Sequence, residues 1–185
     1  MLTNLSMSLV NILFNAKLIS SFGSDGVVAY GIIMYVGFIF IGTYLGYSFG
    51  VAPIISYHYG AGNKDELKNL LKKSIRLLIF TSVVMTFLAE ISAGVLAGIF
   101  VSYDKELLEL TTLAIRLFST SYLISSFNIF ASSFFTALNN GLVSAVISFL
   151  RTLLFQVVMI FVLPLLLGID GLWLAIVVAE ILTLI

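Results

Sequence analysis

Residues 42–76, GTYLGYSFGVAPIISYHYGAGNKDELKNLLKKSIR, decide how the chain is read. The stretch opens as apolar helix with Gly42, Gly46 and Gly50 spaced four apart. Residues i and i+4 stack on one helical face, so the three glycines predict close approach of a second helix there. Pro53 lacks an N–H and its ring crowds the preceding turn, which predicts a bent, hinge-like helix. Tyr57, His58 and Tyr59 form an aromatic cluster of the kind that sits at headgroup depth. After Gly60-Ala61-Gly62 breaks the helix, Lys64, Lys68, Lys72, Lys73 and Arg76 supply five of the chain's nine basic residues. Lys and Arg are retained on the cytoplasmic side, so the chain leaves the membrane here on its positive side.

Composition agrees with that reading. Hydrophobic residues make up 61% of the 185 residues and charged residues 10%, against ~25% charged in soluble domains. Mean hydropathy is +1.17. The chain is an integral membrane protein. Its net charge is zero, and the basic residues form no broad face interleaved with aromatics, which excludes a nucleic acid partner. With no cysteine, a disulfide, a thiolate nucleophile and a Cys-based metal site are excluded. The first twenty residues lack a basic n-region and a small-residue cleavage site, so they read as a span rather than a removed leader.

A membrane helix needs ~20 mostly apolar residues. Turn-type clusters at 23–26, 60–63, 102–104, 139–141 and 168–171 divide the chain into six such segments, at roughly 2–20, 27–57, 70–100, 107–138, 142–167 and 170–185. A β-barrel would need strands of alternating polarity, and Val157 to Leu167 does not alternate. The predicted fold is all-α: a polytopic bundle of six transmembrane helices, forming one lobe over residues 1–185. With 60–76 inside, the acidic 101–109 loop and Asp170 lie outside and both ends are cytoplasmic. The last segment reaches Ile185 after 16 residues, short for a span, so the chain reads as truncated from a larger protein.

Polar residues inside spans point to function, because in hydrocarbon they are costly unless they face other helices or water. Asn4, Ser8, Asn11 and Asn15 form one stripe on the first helix. Ser121, Ser125, Asn128, Ser132, Thr136 and Asn139 form another on the fourth. Such groups act either as interhelical glue, at ~0.6 kcal/mol each, or as the lining of a cavity; the length of two amide-bearing stripes favours the cavity. Glu90 lies mid-span in the third segment, either as a proton or cation site or as a partnered structural carboxylate. Glu180 lies in the last segment. Arg116 and Arg151 lie nearer helix ends, where an arginine can snorkel.

Catalysis has nothing to rest on. His58 is the only histidine, so no multi-histidine metal site is available. Gly60-Ala61-Gly62 lacks the spacing of a phosphate loop. No nucleophile elbow or HExxH motif occurs, which argues against an enzyme.

Three stretches resemble one family. PIISYHYGAGNKDELKNLLKKS (53–74) looks like the junction after the second helix of the carboxy-terminal lobe of MATE (multidrug and toxic compound extrusion) transporters. SMSLVNILFNAKLISSFGSDGVVAYGI (6–32) is similar to their seventh and eighth spans. SSFFTALNNGLVSAVISFLRTLLFQVVMIFVLPLLLGIDGLWLA (132–175) resembles their tenth to twelfth, including Arg151 and the closing Gly168, Asp170, Gly171 and Trp173.

The resemblance implies half of a secondary active antiporter in the plasma membrane, exporting small organic cations or drugs in exchange for Na⁺ or H⁺. It further implies an absent amino-terminal lobe as partner and no cofactor beyond the coupling ion. Asn11, Asn15, Ser125, Asn128 and Ser132 would line the cleft, with Glu90 balancing a cation or exchanging a proton. Gly42, Gly46, Gly50 and Pro53 would shape the helix that transmits the motion. Where some members carry carboxylates in the first and fourth spans of this lobe, this chain carries amides. Two alternatives are a lipid-linked oligosaccharide flippase, whose anionic substrate wants clustered arginines, and a non-transporting membrane scaffold.

Overall fold

The first helix, α1 (Leu2–Gly60), is too long to cross a membrane once: at ~1.5 Å per residue, its 59 residues far outrun a ~30 Å hydrocarbon core. In the computed structural model, which describes residues 2–185 with side chains from Ser6 onward, α1 turns at Gly23. Gly23 has φ 66° and ψ −148°, a region open to glycine because it has no Cβ. The arms 2–22 and 24–60 then fold back on each other. Phe14 stacks on Tyr30 with ring centroids 4.5 Å apart, and the Tyr30 hydroxyl donates to Asn11 Oδ1 at 2.7 Å. The turn expected over 23–26 therefore shrinks to a single residue.

Five more segments follow in order: α2 (Lys64–Val101), the bent pair α3 (Lys105–Ser119) and α4 (Tyr122–Ala137), α5 (Gly141–Phe149), a π-helical turn (Leu150–Leu154) leading into α6 (Phe155–Leu167), and α7 (Gly171–Leu184). With α1 counted as two and α3–α4 and α5–π–α6 as one each, there are six helical segments; α1, α2, α5–π–α6 and the bent α3–α4 pair are long and apolar enough to cross a membrane, α7 is a shorter apolar helix, and no strand occurs among the described residues. Their starts are fixed locally. Asn63 Oδ1 accepts the Glu66 N–H at 3.1 Å. Asp104 Oδ1 accepts the Glu106 and Leu107 N–H groups at 3.0 and 3.2 Å. Asn140 Oδ1 accepts that of Val143 at 3.3 Å. Each satisfies a backbone donor that helix geometry leaves free in the first turn.

Two irregularities were not expected. α3 and α4 meet at 48°, where Ser119 Oγ bonds the Arg116 carbonyl at 2.8 Å and Thr120 Oγ1 the Leu117 carbonyl at 2.7 Å. Successive hydroxyls competing for backbone carbonyls bend helices in this way. The second is the π-helical turn, which carries Arg151. Conversely, Pro53 makes no break: α1 keeps helical dihedrals through it, as membrane helices do when neighbouring groups satisfy the freed carbonyl. Within α1 the helical dihedrals are interrupted at Gly23 and not at Pro53.

Within this chain the small-residue contact lies on α2 rather than on the glycine face. A Cβ built on Gly42, Gly46 or Gly50 would meet nothing within 4 Å, so the glycine face receives no helix of this chain. The physical reason is register. The second arm of α1 buries Val36, Phe40, Tyr44 and Ser48, and the glycines are offset from that stripe by two residues, about 200° around the helix. On α2, by contrast, Ala89, Ala93 and Ala97 are fully buried in the main core, which Ala114 of α3 also joins. There the small-residue repeat does bring backbones together.

Candidate functional site

A groove of about 760 Å³ opens between the second arm of α1, α4 and the π-helical turn. α1 and α4 run parallel along it: Phe40 stacks on Tyr122, Tyr47 lies against Phe130, and Ser56 Oγ donates to the Ala137 carbonyl at 3.0 Å. The α1 wall is mainly apolar, with Leu45, Phe49 and Pro53 beside Ser48 and Ser56. The facing wall is an arc of hydroxyls. Ser132 Oγ lies 2.9 Å from both Ser144 Oγ and Ser148 Oγ, and Thr136 Oγ1 donates to Ser144 Oγ at 2.7 Å. Ser144, Ser148 and Thr152 recur every four residues and so share one face. That spacing was visible in the sequence but went unread.

Arg151 stands at the end of this arc and lines the groove. It does not snorkel. Its Nε lies 2.8 and 3.0 Å from the two carboxylate oxygens of Glu180, and its Nη2 lies 2.8 Å from Oε1. Asn128 Nδ2 completes the set, donating to Glu180 Oε2 at 2.7 Å and to the Glu180 carbonyl at 2.9 Å. The Glu180 side chain is 3% exposed and that of Arg151 18%. Three segments are thus tied by one charge-assisted network, the geometry in which an arginine fork is strongest. Arg151 and Glu180 are the lone charges of their segments. Two opposite lone charges about 14–15 Å into consecutive spans, at ~1.5 Å per residue, were the signal that sequence reading passed over.

The residues expected to line one cleft divide between several places. Ser132 is in the groove. Asn128 is 2% exposed and committed to Glu180, and Ser125, also 2% exposed, donates to the Ser121 carbonyl of its own helix at 2.9 Å; neither is a lining residue. Asn11 takes the Tyr30 hydroxyl across the α1 hairpin, and Asn15 Nδ2 donates to the Asn11 carbonyl of its own arm at 2.9 Å; neither lines this groove. Asn4 falls where side chains are not described. Glu90 is half-buried and accepts a hydrogen bond from Ser119 Oγ at 2.7 Å, at the bend between α3 and α4 and away from the groove. Pro53 lines the groove. Among the described residues no cluster of His, Asp and Glu suits a metal ion.

The MatE family model matches residues 1–162. No curated protein matches the chain. Among solved structures, a MATE in complex with MaL6 superposes with TM-score 0.89 at 20% identity. An outward-facing multidrug resistance MATE family transporter of the MOP superfamily does so at 0.89 and 22%, and a MOP superfamily transporter from Pyrococcus furiosus at 0.88 and 23%. In each case 98% of this chain covers 41% of the other. Likeness at these identities shows a shared fold, and the chain spans about two-fifths of the length of the structures it matches.

Proposed function

The chain belongs to the MatE family, and on that premise we propose that it is one six-helix lobe of a secondary active exporter of small organic cations, driven by inward Na⁺ or H⁺. The supporting observation is the groove. It offers apolar contact on one wall, neutral hydroxyls on the other, and a single guanidinium that Glu180 already neutralises. An amphipathic cation fits such a surface without meeting net repulsion. A pyrophosphate-bearing lipid does not, because it wants several free arginines, and Arg116 lies outside the groove.

Transport would follow from rocking of this lobe against an amino-terminal lobe, exposing the groove to each side in turn, as repeat-built transporters do around a midplane site. The open glycine face at Gly42, Gly46 and Gly50 and the groove both belong to the second arm of α1, which makes that arm the element through which the lobes would meet.

Reconstitution of the full transporter into proteoliposomes tests the reading. Ethidium is expected to be moved against its own gradient when a Na⁺ or H⁺ gradient is imposed; no uphill movement under either gradient would overturn it. Orientation in the plasma membrane, with 60–76 and both ends of this chain in the cytoplasm, is proposed from the exposed Lys64, Lys68, Lys72, Lys73 and Arg76. In intact cells Lys68→Cys is expected to resist an impermeant thiol reagent while Lys105→Cys reacts. This chain contributes no cysteine of its own, the unsubstituted transporter serves as the blank, and the reverse pattern would invert the topology.

A further inference from the structure

We propose that Glu180 is the proton-exchanging carboxylate of this lobe, and that a proton and the groove-lining Arg151 are its alternative partners. The inference rests on the ion-driven transport reading above and names the residue and the ion. Glu180 is the most deeply buried carboxylate among the described residues, and its guanidinium partner is itself part of the groove wall. Anything that changes the occupancy of the groove therefore acts on Arg151, and through it on Glu180.

The surroundings select the ion. Arg151 Nε and Nη2 and Asn128 Nδ2 all approach the carboxylate as donors. The amide cannot be turned round, because its nitrogen also faces the Glu180 carbonyl, which only accepts. Na⁺ needs a shell of oxygen acceptors, whereas the side chains hydrogen-bonded to the Glu180 carboxylate are N–H donors. A proton needs only one carboxylate oxygen. The charged groups near Glu180 are few. α4 and α6 carry none, the π-helical turn carries Arg151, and the Arg116 side chain of α3 is exposed.

Exchange requires Arg151 to leave, and the π-helical turn beneath it is the irregularity that would let it do so. π-helical turns are single-turn insertions in α-helices and concentrate at functional sites. Reversion of residues 150–154 to α-helical pairing shifts the register by one residue, about 100° around the axis, and carries the guanidinium off Glu180. A proton then bonds a carboxylate oxygen as the ion pair breaks, leaving a neutral acid and an unpaired Arg151 cation beside the groove. That cation repels an organic cation bound there. Return of Arg151 to Glu180 expels the proton and restores a neutral wall. Proton and cationic substrate thus exclude each other, which is the requirement for antiport.

The test uses the full transporter in proteoliposomes with ethidium as probe, comparing wild type, Glu180→Gln and the charge-neutral double variant Arg151→Gln/Glu180→Gln. For wild type, an imposed pH gradient is expected to drive efflux, and adding ethidium to the detergent-solubilised protein at weak buffering is expected to release protons. Both variants should lose gradient-driven efflux by at least tenfold and lose proton release, and Glu180→Gln, which leaves Arg151 unpaired at the groove wall, should bind ethidium more weakly than the wild type. The double variant carries no lone buried charge, so it decides the matter if Glu180→Gln alone fails to fold. If the double variant regains pH-driven efflux, the pair is structural and the proposal falls. Proton release by Glu180→Gln, or a wild type driven by Na⁺ and indifferent to pH, also overturns it. A wild type that neither exchanges nor exports ethidium overturns the transport reading instead.

Discussion

Arg151→Met is expected to lower the stability of the folded protein by about 3–5 kcal/mol, because removing one partner of a buried ion pair leaves the other uncompensated in a low-dielectric interior. Glu180 would keep only its hydrogen bonds to Asn128. The double change Arg151→Met/Glu180→Leu is expected to recover most of the loss, since replacing a buried pair by apolar residues of similar volume is often neutral or stabilising. Thermal unfolding of the purified protein in detergent reads both. Equal losses for the single and double variants would mean that the network does not behave as a pair. The contrast with transport is informative: the double variant should be stable and yet uncoupled, which separates what the pair does for the fold from what it does for the cycle.

Gly171→Val is expected to disrupt the hairpin between α6 and α7. A Cβ at Gly171 would stand 2.5 Å from the Leu163 carbonyl oxygen, 2.9 Å from its carbon and 3.1 Å from Leu167 Cβ. Two of these neighbours are backbone, which cannot swing aside as a side chain does. Overpacking of this kind costs ~1–3 kcal/mol, and the extra methyls of valine push towards the upper end. Gly94→Val on the exposed face of α2 is the control, because a Cβ there meets nothing within 4 Å, so it should stay within the roughly 0.5 kcal/mol usual for surface changes. Expression level and thermal stability of the two variants make the comparison. Similar behaviour would show that α6 and α7 separate easily. The prediction also explains part of the Gly168, Asp170, Gly171, Trp173 signature: Gly168 takes φ 72° to leave α6, Gly171 lets α7 return against it, and Trp173 is buried beside Phe22.

Hydropathy, breaker clusters and the basic run after Gly62 were enough to establish a polytopic helical membrane protein, because each of these is a property of consecutive residues. The helix starts at Asn63, Asp104 and Asn140 belong to the same class: an Asn or Asp side chain reaches a backbone N–H two or three residues on, so the cap is written locally. Glycine at 23 likewise marks its turn in the sequence, though not that the turn is a single residue.

Which polar residue faces what was decided only by the tertiary structure. Periodicity assigns Ser125, Asn128 and Ser132 to one stripe of α4, yet one back-bonds to its own helix, one binds Glu180 of α7 and one lines the groove. The same limit hides where helices of this chain approach closely: the face of Gly42, Gly46 and Gly50 meets no other helix of the chain, whereas Ala89, Ala93 and Ala97 are buried in its core. A helical repeat fixes the direction in which a side chain points relative to its own axis. It carries no information about which helix stands opposite. That is settled when the segments pack, and in this chain the choice is made by contacts between residues far apart in sequence, such as Asn128 and Glu180, whose pairing no local rule encodes.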